Sequence, residues 1–144
     1  MRACTIVWFN PNQTIVHEEK NFGFDGTAST CTLSRYHKGQ MAMKITMLGT
    51  GAAFPDPDRA QSGILVTLDN GSHYMFDCGA GTTHNMVRAN ANPAEVKTVF
   101  LTHLHHDHIC DFPLFAITGW MWNREGSPIV LGPKGTQHFC DHLF

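Results

Sequence analysis

No stretch of this sequence approaches the roughly 18 consecutive apolar residues that a membrane-crossing helix requires. The apolar run near the N-terminus, residues 3–9, is interrupted by Thr5, closed by Asn10-Pro11 and followed by no small-residue cleavage site, so it does not read as a secretion signal. Cysteine pairs of the C-x-x-C kind are also missing. The five cysteines, Cys4, Cys31, Cys78, Cys110 and Cys140, are scattered and odd in number, which argues against a thiol zinc knuckle or a redox pair and suits a reducing compartment. The expected location is therefore the cytoplasm, with no membrane partner. Lysine and arginine are few and unclustered, and the net charge is −2 with histidines neutral. A broad nucleic-acid footprint is not indicated, so RNA as a partner has no support from charge, although local phosphate contacts remain compatible with it.

What the chain does contain is a globular balance of 42% hydrophobic and 15% charged residues over 144 positions, enough for one domain or part of one. Residues 1–42 read as an N-terminal extension without legible chemistry, or as sequence upstream of a start at Met41 or Met43. Residues 4–9 and 14–17 could form a hairpin around Asn10-Pro11, and residues 21–30 are turn formers without a period. From Met43 onward the pattern sharpens. Strands are expected at 44–48, 62–68, 72–77, 96–101 and 127–131, with Asp69-Asn70-Gly71 as a hairpin turn. Helical segments are expected from Thr83 to about Ala89, briefly after Asn92-Pro93 with Glu95 reaching back, over 109–122, and from 137 onward, where no C-cap follows and the helix reads as cut short. The 109–122 stretch reads as largely buried, with core packing the expected role of Trp120, Met121 and Trp122.

Histidine is the compositional outlier, with ten in the chain and four inside Thr102-His103-Leu104-His105-His106-Asp107-His108. At the end of a strand, residues two apart point the same way, so His103 and His105 can converge on one ion. The chain then turns, and Asp107 and His108 are placed for a second ion. Imidazole and carboxylate donors suit zinc, and also iron or manganese. A hydroxide held between two such ions is a strong nucleophile at neutral pH, and Asp107 could also accept or relay a proton. His106, at the variable position, is not expected to be a ligand. His138 and His142, four apart, read as surface positions on an outer helix rather than as substitute ligands.

The H-x-H-x-D-H pattern of His103–His108 resembles the signature of the metallo-β-lactamase superfamily. Leu48-Gly49-Thr50-Gly51, Phe76-Asp77-Cys78-Gly79-Ala80-Gly81-Thr82 and Leu131-Gly132-Pro133-Lys134-Gly135-Thr136 fall in the matching order. The G-P-x-G-T turn and Pro55-Asp56-Pro57-Asp58-Arg59 are most similar to the ribonuclease Z and arylsulfatase-like branch. The similarity covers residues 43–144. It implies an α/β (α+β) fold, the N-terminal half of an αββα sandwich, and in the whole enzyme two metal ions, usually Zn2+. His103 and His105 would serve the first and Asp107 and His108 the second, with Asp77 supporting them by hydrogen bonding. Ala60 stands where the ribonuclease Z branch has Asn after its Arg, a departure that weakens a tRNA-processing assignment.

The family completes its site with a His, a bridging Asp and a last His further downstream, so this chain is expected to carry about half of it. A lone sheet also lacks the second layer that would bury its other face. The expected activity is ester hydrolysis by a metal-bound hydroxide, with a small-molecule or nucleotide phosphodiester favoured over a sulfate ester or a lactone. A homodimer is expected for the full-length form. The alternative is a non-catalytic metal-binding fragment or degenerate paralogue that holds at most one ion.

Overall fold

Short segments rich in Ile, Leu, Val, Met, Tyr and Phe make three consecutive strands, the first two joined by the long loop 50–62 and the last two by a tight turn. In the computed structural model, which describes residues 29–31 and 43–143, these are β2 (Met43–Gly49), β3 (Gly63–Leu68) and β4 (His73–Phe76), paired antiparallel in sequence order. The β3–β4 turn closes at the expected Asp69-Asn70-Gly71. Gly71 has φ 82°, a left-handed conformation open to glycine, and the N–H groups of Leu68 and Gly71 donate to Ser72 O and Leu68 O at 2.9 and 3.0 Å.

β1 (Ser29–Cys31) pairs antiparallel with β2. The turn-rich segment thus ends in a strand that no local period announces. The free edge of β2 supplies unpaired backbone groups, and that long-range pairing makes the strand. The possible hairpin over residues 4–17 lies outside the described residues.

Beyond β4 the connections change character. The chain passes through α1 (Thr82–Arg88) and a 3₁₀ turn (Pro93–Glu95) to β5 (Val96–Phe100), which runs parallel to β4. It then passes through α2 (His106–Ile109) and α3 (Phe112–Met121) to β6 (Ile129–Leu131), parallel to β5, and ends in α4 (Thr136–Asp141). Parallel neighbours need such crossovers because the chain must return to the same end of the sheet. The result is one six-stranded sheet in the order β1-β2-β3-β4-β5-β6. Asn92 caps the 3₁₀ turn by accepting from Ala94 N at 2.8 Å. Glu95 does not close a capping box: its carboxylate takes the Asn92 side-chain amide at 3.4 Å and His73 Nε2 at 3.3 Å.

The strand register sorts side chains into two faces. One row runs Thr46, Leu65, Met75, Val99, Val130 across the strands, and its first four members are buried. Met86 of α1 and Phe112 and Phe115 of α3 join this core. The opposite row runs Met47, Ile64, Phe76, Phe100, Leu131, with Phe76 and Phe100 stacked at 4.9 Å. These residues are only half-buried or exposed. The sheet is therefore layered on one side among the described residues, as the sequence led one to expect.

Helix α3 departs from its expected burial. Only Phe112, Phe115 and Gly119 are buried, while Trp120, Met121 and Trp122 are 76%, 65% and 46% exposed. The core space at this end is filled instead by Arg124, which lies over the Phe115 ring at 4.4 Å and donates from Nη2 to Pro93 O at 2.7 Å. Partial burial lowers its guanidinium pKa. Gly119 leaves room for it, and a Cβ there, 2.2 Å from Arg124 Cζ, would displace the guanidinium.

The two faces should respond differently to truncation. Leu65→Ala on the covered face is expected to lose about 2–5 kcal/mol in urea denaturation, by transfer and cavity costs together. Ile129→Ser on the open face should stay within about 0.5 kcal/mol of the parent. Equal losses at both positions would mean that the second face is covered too.

Candidate metal centre

The parallel pair β4–β5 ends where the chain twice leaves the sheet, at Asp77 and at Leu101, and such carboxyl ends of parallel strands open the crevice used for binding in α/β sheets. Residues 102–105 cross that edge in extended and irregular conformation, and α2 begins at His106. His103 and His105 thus sit on the approach to the helix, while Asp107 and His108 occupy its first turn. The ring centroids of His103 and His108 are 3.9 Å apart, and those of His103 and His105 4.7 Å. His108 Nε2 lies 3.5 Å from Asp107 Oδ2. All four residues singled out in the sequence are therefore brought together.

Asp77 is the hub beneath them. It is 4% exposed and adopts φ 58°, a left-handed backbone that Asp tolerates better than most residues. Its N–H donates to Phe100 O at 2.8 Å, anchoring the bend to β5. One carboxylate oxygen, Oδ1, accepts from Thr102 N at 2.8 Å, and the Thr102 hydroxyl lies 2.9 Å from both oxygens. Ser62 Oγ donates to Oδ2 at 3.3 Å, and His108 Nδ1 sits 2.7 Å from the same oxygen.

These contacts order the imidazoles. An ionised carboxylate only accepts, so the contact to Asp77 puts the His108 proton on Nδ1 and leaves the Nε2 lone pair outward. Thr102 extends the same logic. Its single hydroxyl proton goes to Asp77, so its oxygen accepts from His103 Nδ1 at 3.0 Å, and Nε2 of His103 is again the free nitrogen. The donor set fits a divalent metal in both residue type and proton placement. Among the described residues, however, no three His, Cys, Asp or Glu donors already converge on one point. The rings are gathered and packed on one another, not aimed at a common centre.

Several supporting residues were not foreseen. Gln61, 6% exposed, donates from Nε2 to Ala53 O at 3.0 Å, and its Oε1 accepts from Ala80 N at 3.2 Å and Cys110 Sγ at 3.3 Å. It joins the loop after β2, the glycine turn after β4 and the end of α2. Asp111 accepts from Thr83 N at 2.7 Å and so caps α1, whose own cap residue Gly81 has no side chain to do it. His106, set aside as a ligand, turns Nε2 to Ala53 O at 3.1 Å. His138 and His142 lie exposed on and just after α4, with His142 Nδ1 2.9 Å from His138 O. Arg59 is exposed on the loop between β2 and β3. Burial pushes the Cys78 and Cys110 thiols upward, so neither is poised as a thiolate donor.

Close backbone approach completes the assembly. Cys78 N donates to His108 O at 2.7 Å and Asp111 N to Cys78 O at 2.9 Å, which sets the glycine turn against α2. A Cβ at Gly79 would lie 2.0 Å from Asp107 O and 2.7 Å from Gln61 Cβ. Gly79→Ala is therefore expected to lower stability by about 1–3 kcal/mol in urea denaturation, through overpacking at a backbone contact that has no flexible end to yield. An unchanged midpoint would show that the two turns are not held this closely.

Comparison with known proteins shows the family and the fold of the chain. A family model described as anti-Pycsar protein Apyc1 matches residues 43–135. Ribonuclease BN of Cronobacter sakazakii is 38% identical over 101 residues, which is 69% of this chain and 33% of that protein. Ribonuclease Z of Mycobacterium marinum is 39% identical over 104 residues, 70% of this chain and 37% of that protein. The chain thus spans about a third of the length of the curated relatives it matches. Among solved structures, the short form of human tRNase Z superposes with a TM-score of 0.63 at 32% identity, covering 69% of this chain and 38% of that one. The metallo-β-lactamase fold protein YhfI of Bacillus subtilis gives 0.60 at 24% identity, covering 69% and 40%, a likeness of fold alone. The chain belongs to the family of the anti-Pycsar protein Apyc1, and it carries a ribonuclease Z-like part of the metallo-β-lactamase fold.

Proposed function

We propose that this chain supplies part of the divalent-metal site of a phosphodiester hydrolase, with His103 and His105 for one ion and Asp107 and His108 for a second. The observation that carries the reading is the Asp77–Thr102 network, which engages Nδ1 of His103 and of His108 and leaves both Nε2 atoms as donors. Zinc is the favoured ion for three imidazoles and a carboxylate, with iron or manganese able to take the same set. When bound, the metal supplies Lewis acidity that makes water nucleophilic near neutral pH and offsets charge on the substrate oxygens. Asp107, buried beside His108 Nε2, is the residue placed to hold or relay a proton. Asp77 acts as a positioning residue that fixes ring orientation from below.

Similarity to ribonuclease Z and to human tRNase Z supports phosphodiesters as the first substrate class, ahead of sulfate esters and lactones. RNA substrates and a dimeric full-length form belong to the same proposal. A second reading, that the chain holds a single ion without turnover, is favoured by one observation. Four donors cannot fill two tetrahedral shells, and they do not yet converge.

Zinc titration by calorimetry tests whether this partial site takes up metal. We expect close to one tightly held zinc per 144-residue chain, and binding weakened by about 10- to 100-fold in Asp77→Ala as its support is lost. A value near two, with hydrolysis of a chromogenic phosphodiester, would show that these residues complete a dinuclear site by themselves. No zinc uptake would remove the metal reading.

A further inference from the structure

We propose that Phe54 is a stacking platform for the nucleobase of the substrate, held beside the metal centre by a latch between His106 and Ala53. The inference rests on the phosphodiesterase reading and deepens it by naming a nucleobase-bearing substrate. Phe54 is 86% exposed, the highest value among the exposed large apolar side chains of the described residues. A lone exposed phenylalanine is ordinary on a surface. This one differs in how its backbone is held.

The preceding carbonyl, Ala53 O, accepts from two side chains, Gln61 Nε2 at 3.0 Å and His106 Nε2 at 3.1 Å. His106 lies between His105 and Asp107, so the residue before Phe54 is hydrogen-bonded into the metal-binding turn itself. A carbonyl only accepts, so His106 carries its proton on Nε2, the reverse of His103 and His108. That assignment gives the fourth histidine of the cluster a task other than metal binding. The rest of the loop is braced as well. Gly51 N donates to Ala60 O at 2.8 Å, closing the loop at its neck. Asp56 and Arg59 form an isolated bridge, and Asp58 N donates to Asp56 Oδ1 at 2.8 Å.

An aromatic ring on a braced loop next to a phosphate-binding centre can accept a base by its face without selecting among bases, since every base has a π-face. His106 would act through Ala53 as a positioning residue for that ring.

The test compares adenosine 5′-monophosphate with ribose 5-phosphate, by calorimetry on the zinc-loaded protein. The nucleotide is expected to bind about 5- to 150-fold more tightly, the range that stacking one base on an aromatic side chain supplies. Phe54→Ala should erase the difference while leaving ribose 5-phosphate affinity unchanged, and Phe54→Trp should keep it. His106→Ala should reduce the ratio of the two affinities. Equal binding of the two ligands by the parent protein would overturn the stacking platform and leave the metal-phosphate reading intact, as would a base preference that survives in Phe54→Ala. Failure of both ligands to bind would overturn the phosphodiesterase reading and the platform with it.

Discussion

A single buried carboxylate organises the edge of this sheet where the parallel pair β4–β5 ends. Asp77 faces three separate segments at once: Ser62 at the start of β3, Thr102 after β5, and His108 in α2. A carboxylate withdrawn from water is tolerable only when its oxygens are supplied with donors, so the segments must close around it together. The left-handed backbone at this position turns the chain sharply out of β4, and the bond from Asp77 N to Phe100 O fixes that turn to the neighbouring strand. Ring orientation, proton placement on two histidines and the path of the turn from Thr102 to His108 all follow from this one group.

Much of the fold is legible in the sequence because its information is local. Short apolar runs bounded by turn formers mark β2 to β5, Asp69-Asn70-Gly71 marks the hairpin, and Asn92-Pro93 marks the short turn before β5. The cluster of His103, His105, Asp107 and His108 is legible for the same reason, being packed into seven positions. What escapes is carried by contacts between distant residues. Asp111 caps a helix 28 positions away, and Gln61 bonds to Cys110 from 49 away, so neither shows any pattern in its own neighbourhood. β1 is a strand only because β2 offers it an edge. Helix α3 fails differently. Apolar residues occupy nearly its whole circumference, and hydrophobicity alone does not say which side finds a partner, so Trp120 and Met121 read as core and lie on the surface.

The loop after β2 shows how a segment without regular structure can be as determined as a strand. Its prolines and aspartates announce only irregularity. Its conformation is imposed at Ala53 and Ala60, where Gln61, His106 and Gly51 bind the backbone at both ends. The geometry of this loop is thus tied to the turn that carries the histidine cluster, and the tie runs through hydrogen bonds rather than through the sheet.

The change from antiparallel to parallel pairing at β4 sets an order of assembly. β2, β3 and β4 join through near neighbours in sequence and can pair early, because little chain entropy is lost in closing short connections. Asp77 meets Thr102 and His108 only after β5 docks against β4, across a crossover holding α1 and the 3₁₀ turn. In that order His103 and His108 acquire their proton placement only after the crossover closes. A chain with only its meander formed would lack both the Thr102 and the His108 contacts of Asp77, so the two rings would have no preferred orientation until the crossover closes.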